Sequence, residues 1–259
     1  MTSSIRRRAL GATGGLALGA GLLTAVAAPP AAAEPLPSFS FADCPKLPAD
    51  AVREFWLCSV AVTYGGTFQL GSINQTITSP ITITYANGFD PVTGESQVRF
   101  GSLKASKFLV QPGLFGDPFV TAVYAQPKYA GSFNLDGGKI QLALKVNVQN
   151  PLLGGDCHIG SNSNPIRLNL GITATNPPPP NKPIEGSPPE VVSDDPPVIK
   201  TTVVDNAFAV PRSSGCGLGL GPLNWAVDKY AGLPSAAGRN TAIFKQYVSN
   251  RTYDQIPAR

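Results

Sequence analysis

Apolar and polar residues alternate most regularly over Lys139–Gln149, where Ile140, Leu142, Leu144, Val146 and Val148 are set between Lys139, Gln141, Lys145, Asn147 and Gln149. A period of two describes a half-buried β-strand, one face on a core and one in water. The pattern recurs along the chain. Trp56, Cys58, Val60, Val62 and Tyr64 alternate with smaller or polar residues, and Gly65-Gly66 reads as the strand's end. Two short runs follow at 67–73 and 75–79. After Pro80, Ile81, Ile83 and Tyr85 point one way, with Thr82 and Thr84 between them. Asn87-Gly88 is a turn signal that Asp90-Pro91 to Gly94 prolongs.

Further strands are expected at 98–104, Phe108–Gln111, 120–124 and 130–135, with a loop at 114–118 and a tight hairpin at Asp136-Gly137-Gly138. Ile166, Leu168, Leu170 and Ile172 alternate again. Beyond them, 198–204, 208–210 and 241–248 read as strand. One helix is expected, with Pro222 at its first position and Gly232 and Pro234 at its stop. Leu223, Val227 and Tyr230 share one helical face with Ala226 beside them, and Trp225, off that stripe, is expected to pack sideways on a loop. Strands recurring between turn signals imply an all-β fold: a mainly antiparallel β-sandwich or partly closed barrel with one short C-terminal helix.

Residues 176–197 break the pattern, with nine prolines in 22 positions. Proline supplies no ladder donor, so this stretch is expected to run extended on the surface as an excursion within a single domain spanning 34–259.

The first 33 residues read as an export signal rather than as fold. Arg6, Arg7 and Arg8 precede a glycine-softened apolar run, and Ala31-Ala32-Ala33 offers a cleavage site after Ala33. The arginines suit either the general or the twin-arginine route. Removing them leaves 17 Lys and Arg against 16 Asp and Glu, so the formal charge of +4 belongs largely to the signal. A basic footprint for nucleic acid is not expected, nor is a membrane-spanning segment in the mature chain.

Export gives the four cysteines a meaning. An even number in a secreted chain argues for two disulfides, although four cysteines allow three connectivities. Cys44 with Cys58 and Cys157 with Cys216 are the preferred pairs, since each joins sequence neighbours within one half. A zinc site is disfavoured by a single histidine and no C-x-x-C spacing.

Hydrolytic chemistry would have to use His158, the only histidine, as base. No G-x-S-x-G elbow occurs in the mature chain. Ser161 lies three residues beyond His158, and a Cys157–Cys216 bridge would bring Ser214 near it, with Gly215 or Gly217 as backbone donors. The competing reading is a histidine that fills a turn beside a disulfide. Asp136, Asp156, Asp194 and Asp195 sit in turn or proline-rich contexts that account for them without glycosidase chemistry. Asn134, Asp136 and Asp156 do not form a calcium-loop series, and the glycines at 215–221 match no phosphate-binding pattern. Phe89, Phe115 and Phe119 in loop contexts could form an apolar patch. No metal or cofactor is expected.

CPKLP near the start, W-x-C opening the first strand, NPLLGGDCHIGS with NPIRLNL in the middle and SGCGLGLGP near the end resemble a group of secreted actinobacterial proteins. The resemblance covers nearly all of the mature chain. It implies a cell-envelope or extracellular all-β domain, supports Cys44, Cys58, Cys157 and Cys216 as a disulfide set, and lends no catalytic residues. The expectation is a secreted or envelope-associated protein with a non-enzymatic binding or structural role, its partner an envelope component or an apolar ligand. Two alternatives have structural signatures. A serine oxygen within about 4 Å of a His158 ring nitrogen keeps a small ester hydrolase in play, and an apolar cavity of roughly 300 Å³ or more favours a lipid carrier.

Overall fold

The computed structural model describes residues 35–111, 120–217 and 221–257. The export signal, Phe115, Phe119 and three residues of the glycine run lie outside them. Everything described below belongs to the compact unit that begins at Leu36.

Lys139–Gln149 forms a strand over its whole length and is the middle of one sheet. Numbered along the chain, the strands are β1 (Leu57–Leu70), β2 (Ile73–Thr76), β3 (Ile81–Phe89), β4 (Ser96–Ala105), β5 (Phe108–Gln111), β6 (Val123–Asp136) and β7 (Lys139–Gln149). They continue with β8 (His158–Ile159), β9 (Ile166–Leu170), β10 (Ser187–Asp194), β11 (Pro197–Asp205), β12 (Ser213–Ser214) and β13 (Thr241–Thr252), and the helix α1 (Gly221–Ala231) precedes β13. One sheet runs β10-β11-β13-β1-β3-β4, with β2 continuing the β3 edge of β1; the other runs β12-β8-β7-β6-β5, with β9 also on β7. All of these pairings are antiparallel.

The two sheets pack face to face. Phe68, Ile83 and Phe244 of the first meet Leu142, Leu144, Val146 and Leu168 of the second in one continuous core. One seam is closed by backbone hydrogen bonds, because Gly171 after β9 exchanges N–H···O bonds with Val204 of β11 at 3.0 and 2.8 Å. Elsewhere, rings bridge the sheets: Phe100 of β4 stacks on Tyr129 of β6 with centroids 3.7 Å apart, and Tyr85 of β3 lies 5.1 Å from Phe133. The arrangement is a sandwich curled toward a half-barrel.

The face of β1 that carries Cys58, continued by Trp56 just before the strand, does not meet the second sheet. Cys58 pairs across with Ala86, whereas the neighbouring Tyr85 points between the sheets. Trp56, Cys58, Ala86, Tyr253 and Ile256 form a second cluster, covered by Phe41, Cys44, Leu47 and Ala51 of the entry segment. The Cys44–Cys58 disulfide pins that segment down. The sheet is therefore apolar on both faces here, and period-two alternation shows a buried face without showing which layer buries it.

Several expected boundaries move, each for a local reason. Gly65-Gly66 does not end β1 but carries a bulge, with the register to β13 shifting between Thr63 and Gly65. Gly66 has φ +113°, and a Cβ there would lie 1.9 Å from the Ile243 carbonyl oxygen, so glycine keeps the strand continuous. Asn87-Gly88 is not a turn; it lies within β3, because a Cβ at Gly88 would fall 2.4 Å from the Trp56 ring. The chain turns instead over 90–95, where the Asp90 carboxylate accepts the N–H groups of Val92 and Thr93, each at 2.8 Å. The expected strands at 120–124 and 130–135 become a single strand, β6, which begins only at Val123 and is irregular between Tyr129 and Phe133. Residues 208–210 make only an isolated bridge, Val210 to Ser235.

The proline-rich stretch is corrected in its second half. Ser187–Asp194 pairs with β11 as an edge strand, and the register skips between Ser187 and Glu190, where Pro188 and Pro189 have no N–H to give. Its first half is tied down by side chains: Asn181 donates to the Asn206 and Asn240 carbonyls, each at 2.9 Å, and Asn206 donates to the Lys182 carbonyl at 2.8 Å.

Candidate functional site

Opposite faces of the second sheet carry two different features, and alternation along β7 and β8 separates them. Val146, Val148 and Ile159 point between the sheets, so Asn147 and His158 point outward.

The inward feature is a cavity of about 330 Å³. Phe68, Leu70, Ala125, Val146, Val148 and Ile159 line its depth, and Leu223, Ala226 and Val227 of α1 wall it on one side. Its few polar neighbours are Gln75, Gln111, Thr121 and Asn150. Leu152 and Tyr230, 64% and 48% exposed, also line it, so it opens to solvent past them. Leu223, Val227 and Tyr230 share the helical face expected of them, and that face turns toward this space, while Pro222 is the second residue of α1 rather than its first. Trp225, on the opposite side of α1, is 66% exposed, which corrects the expectation that it packs sideways on a loop.

Polar contacts fasten α1 in place. Ser213 donates its N–H to Asp228 Oδ1 at 2.7 Å and its hydroxyl to the Asn224 carbonyl at 3.0 Å; Cys216 N–H donates to Asn224 Oδ1 at 3.0 Å. Arg212 pairs with the buried Asp228 carboxylate at 3.3 Å. At the other end, Ser72 N–H donates to the Ala231 carbonyl at 2.9 Å, and Gly232 turns the chain with φ +65°. The helix is thus a fixed wall held by β12 and by the β1–β2 turn.

The outward feature is built at the Cys157–Cys216 disulfide. Ser214 and His158 are direct partners across β12 and β8, and Ser214 Oγ lies 3.0 Å from His158 Nε2. Nδ1 of the same ring lies 2.5 Å from the Asp156 carbonyl oxygen. A carbonyl only accepts, so Nδ1 carries the proton and Nε2 presents its lone pair to the serine hydroxyl. Gly215, φ +72°, lets the backbone close on this turn, since a Cβ there would meet the Asp156 carbonyl oxygen at 2.3 Å.

The other candidates read from the sequence divide cleanly. Ser161 is kept apart from the ring, its hydroxyl accepting Asn164 N–H at 2.9 Å and meeting Ser163 Oγ at 3.1 Å in a local turn. Gly217 N–H is not available as an oxyanion donor, because it donates to the Leu153 carbonyl at 2.6 Å. Asp136 sits at the β6–β7 hairpin, Asp194 and Asp195 at the β10–β11 hairpin, and Asp156 contributes its carbonyl. Phe89 is 55% exposed at the end of β3. Among the described residues, no three of His, Cys, Asp and Glu come together as metal ligands, and no helix is long and apolar enough to cross a membrane. The residues that line the cavity were not legible as a set in the sequence. Their one trace is the apolar stripe of α1, which reads equally as core.

Comparison with protein-family models, curated proteins and solved structures finds no match to this chain.

Proposed function

We propose that this protein is an exported carrier that binds one apolar molecule between its sheets. The observation that carries the reading is the apolar cavity of about 330 Å³ walled by α1. Cavities that hold small molecules start near 300 Å³ and are mostly apolar with a few polar groups placed at one side. A dry apolar space of about 150 Å³ already takes up benzene, so this one suits an acyl chain or a compact ring system. Two disulfides suit an oxidising compartment, and the basic, apolar and Ala-x-Ala segments of residues 1–33 suit export to the cell envelope or beyond. Gln75 and Gln111, polar side chains in its lining, would meet the polar head of such a molecule.

The test is titration of the mature, disulfide-bonded chain with the environment-sensitive dye N-phenyl-1-naphthylamine, followed by displacement with fatty acids of graded length. Saturable uptake at one dye per chain, with a negative heat-capacity change, is expected. Ala125→Phe fills the cavity and should abolish uptake while leaving a cooperative melt. Unchanged uptake in that variant, or none in the parent, removes the carrier reading.

A further inference from the structure

We propose that Ser214 and His158 form an acyl-transfer site on the outer face of the second sheet, independent of the inter-sheet cavity, and that its substrate is an ester of a polyhydroxylated alcohol. Three observations meet there. The hydroxyl and Nε2 are 3.0 Å apart, and the Asp156 carbonyl fixes the tautomer in which Nε2 is the base. The geometry is rigid, because the Cys157–Cys216 bridge clamps the two short strands that carry the pair: His158 follows one cysteine directly and Ser214 precedes the other by two residues. Finally, the pair borders a binding surface. Asn147 is His158's partner on β7, so Asn147, His158 and Ser214 make one outward row at strand spacings of about 4.8 Å.

Asn147 also lines a shallow groove of about 540 Å³ with Lys107, Tyr124, Gln149 and Asn150. Lys107 lies over the Tyr124 ring 4.7 Å from its centroid, Gln149 donates to Gln126 and Asn150 donates to the Val120 and Ala122 carbonyls. The groove therefore meets a ligand through polar and charged groups, chemistry that recognises hydroxyl groups. It offers little to a long acyl chain. The ester's alcohol portion fits this groove, and the acyl carbonyl is placed over Ser214.

The reaction follows from the tautomer. Nε2 takes the Ser214 proton as Oγ bonds to the acyl carbon, and negative charge gathers on the carbonyl oxygen. The carbon–oxygen ester bond then breaks, and the imidazolium returns its proton to the departing alcohol. Water attacks the acyl-serine by the same route, with its proton passing through Nε2. A carboxylic acid leaves, and Ser214 is regenerated.

The experiment treats the mature, oxidised chain with a fluorophosphonate probe and maps the adduct by peptide mass. One phosphonyl group on Ser214 is expected. It should be absent in Ser214→Ala, retained in Ser161→Ala, and formed about 100-fold more slowly in His158→Ala, the low end of a general base's contribution. Hydrolysis of methyl 6-O-acetylglucoside, which keeps its other hydroxyls free, should disappear in Ser214→Ala. The Ser214 and His158 substitutions lie on an outward face, so circular dichroism melts should show folded variants. An unlabelled parent, an adduct on another residue, or equal hydrolysis by the parent and Ser214→Ala overturns the proposal.

Discussion

Ile159 and His158 are adjacent in the chain and serve opposite faces of one sheet: Ile159 is 7% exposed and lines the cavity, while His158 faces outward to Ser214 Oγ at 3.0 Å. One peptide bond separates an apolar space from a polar, solvent-facing pair. The physical cause is the period of two along a strand.

Substitution at these two positions should therefore cost different amounts. Ile159→Ala removes packing between the sheets and should destabilise by about 2–5 kcal/mol, at the lower end because a cavity already adjoins it. His158→Ala gives up polar contacts on an outward face and should cost about 1 kcal/mol or less. Urea denaturation of the two variants measures the difference. Equal losses would place both side chains in one environment.

The two disulfides close loops of different length, with sequence separations of 14 and 59. By chain-entropy reasoning, replacing both cysteines of the pair by serine costs about 3 kcal/mol for Cys44–Cys58 and about 4 kcal/mol for Cys157–Cys216. The second loss should also abolish phosphonyl labelling at Ser214, because β8 and β12 are only two residues each and the bridge holds them together. The first should leave labelling intact. Denaturant midpoints and labelling of the two double variants supply the comparison.

Gly88 packs against Trp56 so closely that an added Cβ would sit 2.4 Å from Cδ2 of the indole. Gly88→Ala should overpack the second cluster and cost about 1–3 kcal/mol. Adding Trp56→Leu to that variant should recover part of the loss, since the clash is with the ring. A double-mutant cycle by thermal melt reads the coupling.

Tyr253 is buried beneath the entry segment, its hydroxyl donating to the Pro45 carbonyl at 2.8 Å, and burial holds its pKa up to about 12 against the counter-effect of Arg53. An acid whose pKa is raised by folding binds its proton more tightly folded than unfolded. Its contribution is therefore intact below pH about 10, the unfolded value, and is lost as pH climbs toward 12. Stability measured between pH 9 and 12 should fall less steeply in Tyr253→Phe than in the parent, on top of a constant loss of about 1 kcal/mol for the missing hydrogen bond.

Much of the strand content can be read from the residues themselves. Lys139–Gln149 forms β7 over its expected length, the 3.6-residue stripe of Leu223 and Val227 forms α1, and the preferred cysteine pairs are the pairs that form. These follow from local periodicity and from joining each cysteine to the next one in its half of the chain. Glycine is less legible. Gly66 and Gly88 carry turn signals, yet each sits inside a strand, because the reason for glycine is an approaching neighbour: Ile243 for one and Trp56 for the other.

What the sequence determined by itself, then, is which residues alternate, where a helix fits and which chemistry is on hand: one histidine, nineteen serines, four cysteines. Tertiary structure decided which layer covers each alternating face. It brought Ser214 rather than Ser161 to His158, across 56 residues of chain. It also left a space between the sheets where α1 spans a gap. Alternation specifies that a side chain is buried, but not what lies opposite it. Contacts and cavities depend on distances between segments remote in sequence, and the packing of the two sheets sets those distances.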